Sequence, residues 1–193
     1  MEHFYTLQGE GHWSGTPAYF IRLAGCDVGC VWCDVKESWT VADEQWVNIS
    51  DLIALVKATP TKRVVITGGE PTMYDLKPLT DALHAAGLLC HIETSGAHPF
   101  SGDFDWITLS PKKFKAALPE YYPLAHELKI IIYNAHDLEW AEKEAAECTS
   151  DHTLFYLQPE WSRRERVHQT IEYIKANPKW KLSLQTHKYV EIP

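Results

Sequence analysis

Short apolar runs alternate along the chain with longer amphipathic stretches. Runs at 18–23, 63–67, 88–94, 106–109, 128–133, 153–157 and 181–184 read as strands. The run at 128–133 is wholly apolar except for Lys129. Helices fall between several of these runs. Ser50 offers an N-cap to a short helix bearing Leu52, Ile53, Leu55 and Val56, and Pro60 stops it. Asp75 can cap the next, with Pro78 in its first turn and Gly87 just past its end. Residues 137–148 form a helix rich in alanine and glutamate, and Ser162-x-x-Glu165 is a capping box for a last helix ending before Pro178. Residues 34–48 show no period and read as irregular. About six strands alternating with helices imply a mostly parallel α/β sheet. Some crossovers look short, which favours a partial, open (β/α) barrel. Alternation alone does not separate it from a doubly wound sheet.

The length of 193 residues suits one domain, 1–193, with a sizeable core. A net charge of −8 argues against nucleic-acid binding, which favours basic surfaces. Arg163-Arg164-Glu165-Arg166 is the one basic run and reads as a solvated helix face. No apolar run reaches the roughly 18 residues needed to span a bilayer. The start, Met1-Glu2-His3, is acidic, unlike a secretory leader. A reducing cytoplasmic setting is therefore expected.

Candidate chemistry centres on Cys26-Asp27-Val28-Gly29-Cys30-Val31-Trp32-Cys33. Three thiolates spaced C-x₃-C-x₂-C can reach one metal centre. A cubane iron–sulfur cluster usually takes four cysteines, so three leave one iron open to an outside ligand. A structural zinc site would need a fourth ligand, for which His12 is the nearest upstream histidine. A disulfide reading fails on the odd count. Cys90 and Cys148, in a strand and at a helix end, read as structural thiols.

The cysteine spacing, with Trp32 before the last cysteine, resembles the radical S-adenosylmethionine (SAM) superfamily. Longer blocks resemble the 7-carboxy-7-deazaguanine synthase family: Thr6-Leu7-Gln8-Gly9-Glu10-Gly11, Phe20-Ile21-Arg22-Leu23, Ile66-Thr67-Gly68-Gly69-Glu70-Pro71, Ile92-Glu93-Thr94-Ser95-Gly96, Ser110-Pro111-Lys112 and Gln185-Thr186-His187-Lys188-Tyr189. They run in order along nearly the whole chain. The resemblance implies an open barrel, a [4Fe-4S] cluster on Cys26, Cys30 and Cys33, and SAM on the open iron. It implies SAM contacts at Trp32, Cys33, Asp34, Gly69, Glu70, Glu93, Ser110, Pro111, Lys112 and Gln158-Pro159-Glu160-Trp161. Glu70 would accept the SAM ammonium, with Gly68 and Gly69 letting backbone approach the ligand. The family's text at 158–161 usually continues with a small residue, so Gln158 is the safer assignment there and Trp161 the weaker.

The implied reaction turns 6-carboxy-5,6,7,8-tetrahydropterin into 7-carboxy-7-deazaguanine with loss of ammonia, towards queuosine-type bases. The implied substrate contacts are Leu7, Gln8, Gly9, Glu10, Arg22, Thr67, His187 and the terminal Pro193. Arg22 has a planar fork suited to carboxylate, and an unpaired arginine inside a strand would be costly. Residues 187–193 otherwise read as a trailing tail. The family commonly has Cys-Asp-Thr, whose hydroxyl helps hold Mg²⁺. Here Cys33-Asp34-Val35 offers no such oxygen. Lys36 could neutralise the substrate carboxylate instead. The resemblance also implies an external electron donor such as flavodoxin, and a homodimer. No conventional acid or base is required. Two rival readings are a glycyl-radical activating enzyme and a non-catalytic zinc or iron–sulfur module.

Overall fold

The structure, a computed structural model, describes residues 2–42 and 46–193. Eight strands form one sheet in chain order: β1 (Glu2–Leu7), β2 (Pro17–Leu23), β3 (Arg63–Gly68), β4 (Leu89–Thr94), β5 (Trp106–Leu109), β6 (Glu127–Ile132), β7 (Leu154–Pro159) and β8 (Trp180–Leu182). β1 is antiparallel to β2, and all later neighbours are parallel. β1 and β8 do not pair, so the barrel is open. The expectation of about six strands falls short chiefly because β1 is an edge strand. None of its residues is fully buried, so its pattern has no apolar face to reveal it.

The connecting helices are α1 (Ile49–Lys57), α2 (Lys77–Ala85), α3 (Asp137–Glu147) and α4 (Glu165–Ala176), with α5 (Thr186–Val190) after β8. Short 3₁₀ turns lie at Lys36–Trp39, Pro71–Met73 and Pro119–Tyr121. The first of these falls in the stretch expected to be irregular, of which 43–45 lie outside the described residues. Ser50 is not a cap, because α1 begins one residue before it and Asn48 occupies that position. Asp75 does accept the Lys77 amide at the start of α2. The Ser162 box does not form. The Ser162 amide and hydroxyl both turn back to the Glu160 carboxylate, two residues upstream, and α4 has no side-chain cap.

The strands alternate between an apolar face and one that carries most of the polar residues. One face carries Ile21, Ile66, Ile92, Leu109, Ile130 and Leu157, packed on leucines and alanines of α1, α2 and α3. Burying each large aliphatic side chain contributes about 1.5–3 kcal/mol. The other face carries Thr67, Glu93, Thr108, Lys129 and Gln158 and encloses a polar interior.

The β1–β2 connection crosses this interior. The Gly11 amide donates to Ser183 Oγ at 2.9 Å, and the Thr186 amide donates to the Gly9 carbonyl at 2.9 Å. His12 stacks on Trp106 with centroids 5.0 Å apart, and Arg63 lies 3.7 Å over the Trp13 ring. Trp106 and Arg63 begin β5 and β3. The connection therefore bridges the two unpaired edges and plugs the N-terminal end of the sheet. That leaves the cavity at the C-terminal ends of the strands, where α/β folds place ligands.

Candidate active site

The cysteine loop leaves β2 and is fastened from two sides. The Gly25 amide donates to the Ser38 carbonyl at 2.7 Å, the Gly69 amide to the Leu23 carbonyl at 2.9 Å, and the Glu70 amide to the Gly25 carbonyl at 2.8 Å. The two glycines are thus already needed for the loop itself. A Cβ on Gly69 would sit 2.2 Å from the Gly25 carbonyl oxygen, and one on Gly68 2.1 Å from that of Leu23.

Cys26, Cys30 and Cys33 group with Val28, Trp32 and Ala97, and all three thiols line the cavity. None is in a disulfide. Burial pushes the Cys30 thiol up to about 11 and raises Cys26 as well. Among the described residues, only His84, Cys90 and Asp105 bring three candidate ligand atoms within 4.8 Å of one another. The three loop sulfurs do not form such a trio. They suit a cluster that offers a different iron to each thiolate. His12 is at the plugged end, between Trp13 and Trp106, which removes it as a fourth zinc ligand. In the other trio, Asp105 already accepts the Cys90 amide at 2.7 Å and pairs with His84 at 3.0 Å. It ties α2, β4 and β5 together, so Cys90 is structural.

Glu70 is buried, and its carboxylate is fully engaged. It accepts from the amides of Thr72 and Ser95 and from the hydroxyls of Thr72, Thr94 and Ser95. Its side chain staples the β3 and β4 ends together, and little of it remains for an ammonium. Across the cavity, Lys129 is 3% exposed and bridges Glu10 at 2.6 Å and Glu93 at 2.8 Å. Gln8 donates to Glu93 at 2.6 Å, and Gln185 to Glu10 at 2.9 Å. Lys112 turns inward onto the Ser110 hydroxyl at 2.7 Å, and burial pushes its ammonium below the ordinary range.

Cys26, Trp32, Cys33, Asp34, Thr67, Gly69, Glu70, Glu93, Ser110, Lys112, Gln158, Glu160 and Glu10 all line this one cavity with Cys30. Gln8 reaches it through Glu93, and Gly9 supports His187: a Cβ there would meet His187 Nδ1 at 2.1 Å. Leu7, Arg22, Pro111, Pro159, Trp161 and Pro193 are not part of the lining. Arg22 is not unpaired: it forms a salt bridge with Glu2 across β1 and β2 and lies over Phe4. Trp161 stacks edge-on against Tyr189, with centroids 4.8 Å apart, and beneath Arg164. The tail is accordingly a short helix held down by side chains. Pro193 lies exposed at its end. Sequence reasoning missed Lys129, although a single cation in an apolar strand was visible, and it missed Thr94 and Ser95 as partners of Glu70.

The Radical SAM superfamily model matches residues 20–116. A 7-carboxy-7-deazaguanine synthase from Flavobacterium psychrophilum is 53% identical, over 100% of this chain and 91% of its own length. This chain belongs to the 7-carboxy-7-deazaguanine synthase family. The synthase from Synechocystis is 49% identical over 99% of this chain and 91% of its own length. The crystal structure of QueE from Escherichia coli superposes with a TM-score of 0.86 at 37% identity, covering 96% of this chain and 92% of that one.

Membership in the synthase family implies a [4Fe-4S] cluster and SAM, and the thiol spacing fits the cluster. Mg²⁺ does not fit. The Asp34 carboxylate already accepts from Lys188 at 2.5 Å and from Gln185 at 3.2 Å. Val35 adds only carbon, its carbonyl being taken by Ser38, and Mg²⁺ needs several hard oxygens in near-octahedral array. Lys36 points to the Trp39 ring instead, so the cation beside Asp34 is Lys188.

Proposed function

We propose that this chain is a radical SAM lyase converting 6-carboxy-5,6,7,8-tetrahydropterin into 7-carboxy-7-deazaguanine with loss of ammonia. The observation that carries the reading is three cysteine thiols and a lysine-bridged pair of carboxylates lining one cavity. Cys26, Cys30 and Cys33 would hold the cluster, which with SAM supplies a carbon-centred radical able to take a hydrogen atom from the substrate. Gly69, Glu70, Ser110, Pro111, Lys112, Gln158, Pro159 and Glu160 form the SAM side of this reading, Glu70 through its backbone and its hold on Ser95, whereas Glu93, expected on that side, pairs through Lys129 with Glu10 and faces the pterin. Leu7, Gln8, Gly9, Glu10, Arg22, Thr67, His187 and Pro193 form the pterin side. Arg22 would have to leave Glu2 to reach a substrate carboxylate. Trp161 acts on the tail rather than on SAM.

The chain's own residues bind, orient and exclude water. Amide and carboxylate side chains on the floor match a pterin edge made of N–H and C=O groups. Lys112 places a positive charge inside the cavity for a carboxylate, and Lys188 holds Asp34 at its edge. The plug formed by the β1–β2 connection shuts the far end, so solvent enters from one side only. A one-electron donor of the flavodoxin kind, a homodimer and a cytoplasmic setting belong to the same reading. No helix among the described residues is long and apolar enough to cross a membrane.

The test is anaerobic. Protein reconstituted with iron and sulfide is given SAM, dithionite and the pterin, and products are followed by mass spectrometry. Formation of both 5′-deoxyadenosine and 7-carboxy-7-deazaguanine is expected. Deoxyadenosine without deazaguanine would overturn the substrate, and neither product from a fully loaded protein would overturn the reaction class.

A further inference from the structure

The interior face of β6 places one fully buried lysine between two carboxylates that arrive from elsewhere. Lys129 Nζ meets Glu10 Oε2 at 2.6 Å and Glu93 Oε2 at 2.8 Å. Glu10 comes from the β1–β2 connection and Glu93 from β4, so three separate segments converge on one ammonium. The other two oxygens are also held: Gln8 donates to Glu93 Oε1 at 2.6 Å and Gln185 to Glu10 Oε1 at 2.9 Å. All of Glu10, Glu93, Lys129 and Gln185 line the cavity. A carboxylate oxygen has two lone-pair sites, so each keeps capacity for a donor on a ligand.

We propose that Lys129 is a positioning residue for the reaction, clamping Glu10 and Glu93 as a matched pair of ionised acceptors aimed at the substrate. This rests on the functional reading above and deepens it. The ligand chemistry that such a pair selects is a planar edge with adjacent N–H donors, as in a 2-amino-pyrimidinone. One ammonium against two carboxylates leaves the array with a net charge of −1. That charge favours donors and disfavours a second carboxylate on the same edge, so a substrate carboxylate would face away from the pair.

Electrostatics supports the geometry. Burial alone would raise the Glu10 carboxyl, yet the charge and hydrogen bond of Lys129 outweigh it and hold Glu10 down at about 2. Lys129 is itself held far above its ordinary range: burial opposes its charge, but Glu10 and Glu93 dominate. The other titratable groups facing this trio are Glu127, His91, Lys112 and His187. Without the ammonium, two recessed carboxylates would face each other uncompensated. One would take up a proton as pH falls towards neutrality.

The experiment compares Lys129→Met and Lys129→Arg with the parent, each reconstituted with its cluster. Lys129→Met is expected to raise the pterin KM at least tenfold and to form less product for each 5′-deoxyadenosine released than the parent does. Its product formation should climb with pH between 6 and 8.5, where the parent is flat. Lys129→Arg keeps the charge and should restore most of the KM and the flat profile. A Lys129→Met enzyme with parental KM and a flat profile would overturn the proposal. So would a Lys129→Arg enzyme as impaired as Lys129→Met, since the cation would then matter only as a packed shape. Should the parent itself fail to cleave SAM, the functional reading fails rather than this assignment.

Discussion

Burial pushes the Glu127 carboxyl up to about 7, with Lys129 pulling against it. Its Oε2 accepts the His12 amide at 3.0 Å, while Oε1 has no partner. An unfolded glutamate titrates near about 4.3. The folded value is the higher one, so the stability it contributes is full below the unfolded value and is lost as pH rises through about 7. Glu127→Gln should therefore be stabilised by about 1–3 kcal/mol at pH 8 and by little at pH 5, read from urea unfolding at both values. Gly69 acts through space rather than charge. Gly69→Ala should cost about 1–3 kcal/mol by overpacking against the Gly25 carbonyl. Because the strain falls on the cysteine loop, it should also lower iron content and visible absorption after reconstitution. Parental iron content in a folded Gly69→Ala protein would contradict that role. The sequence displayed these glycines plainly but not their neighbour. A pattern shows that backbone must come close to something, and only the fold says that the something is residues 23–25.

At the scale of elements, regular periodicity was readable and contacts between distant segments were not. β2 to β8 could be read because each buries one apolar face on a helix. β1 escaped because an edge strand has no such face. The tail escaped because its order comes from residues far away in the chain. Thr186 bonds to Gly9, Tyr189 to Arg164, and Lys188 to Asp34. Trp161 belongs to that same clasp. Trp161→Ala removes an aromatic pair worth about 0.5–1.5 kcal/mol. It should raise the pterin KM several-fold by loosening α5 while leaving iron content and SAM cleavage intact. Equal loss of SAM cleavage would instead return Trp161 to the cofactor side. The cysteines, by contrast, were legible because cluster ligands need a particular atom type at a particular spacing. The Glu10–Lys129–Glu93 array joins residues 36 and 119 positions apart and has no local signature.

At the scale of the whole molecule, the cysteine loop packs as its own small group beside two larger cores that the helices share with the sheet. The metal centre is therefore an addition to a fold that already stands. Stripping the cluster with a chelator should abolish visible absorption and leave far-UV circular dichroism nearly unchanged, unlike a zinc finger, which unfolds without its ion. Collapse of the secondary structure on chelation would show that the two cores do not suffice.

The clasp between Gly9 and Thr186 also orders events in time during synthesis. The backbone hydrogen bonds that fasten the cysteine loop come from residues before 71, and its Asp27 side chain then waits for His98 and Lys115, so the loop is complete once residue 115 has been made. The opposite wall comes later. Glu10 waits for Lys129, and then for Gln185 beyond β8. A nascent chain can thus present its thiols to iron and sulfide well before it owns a substrate pocket.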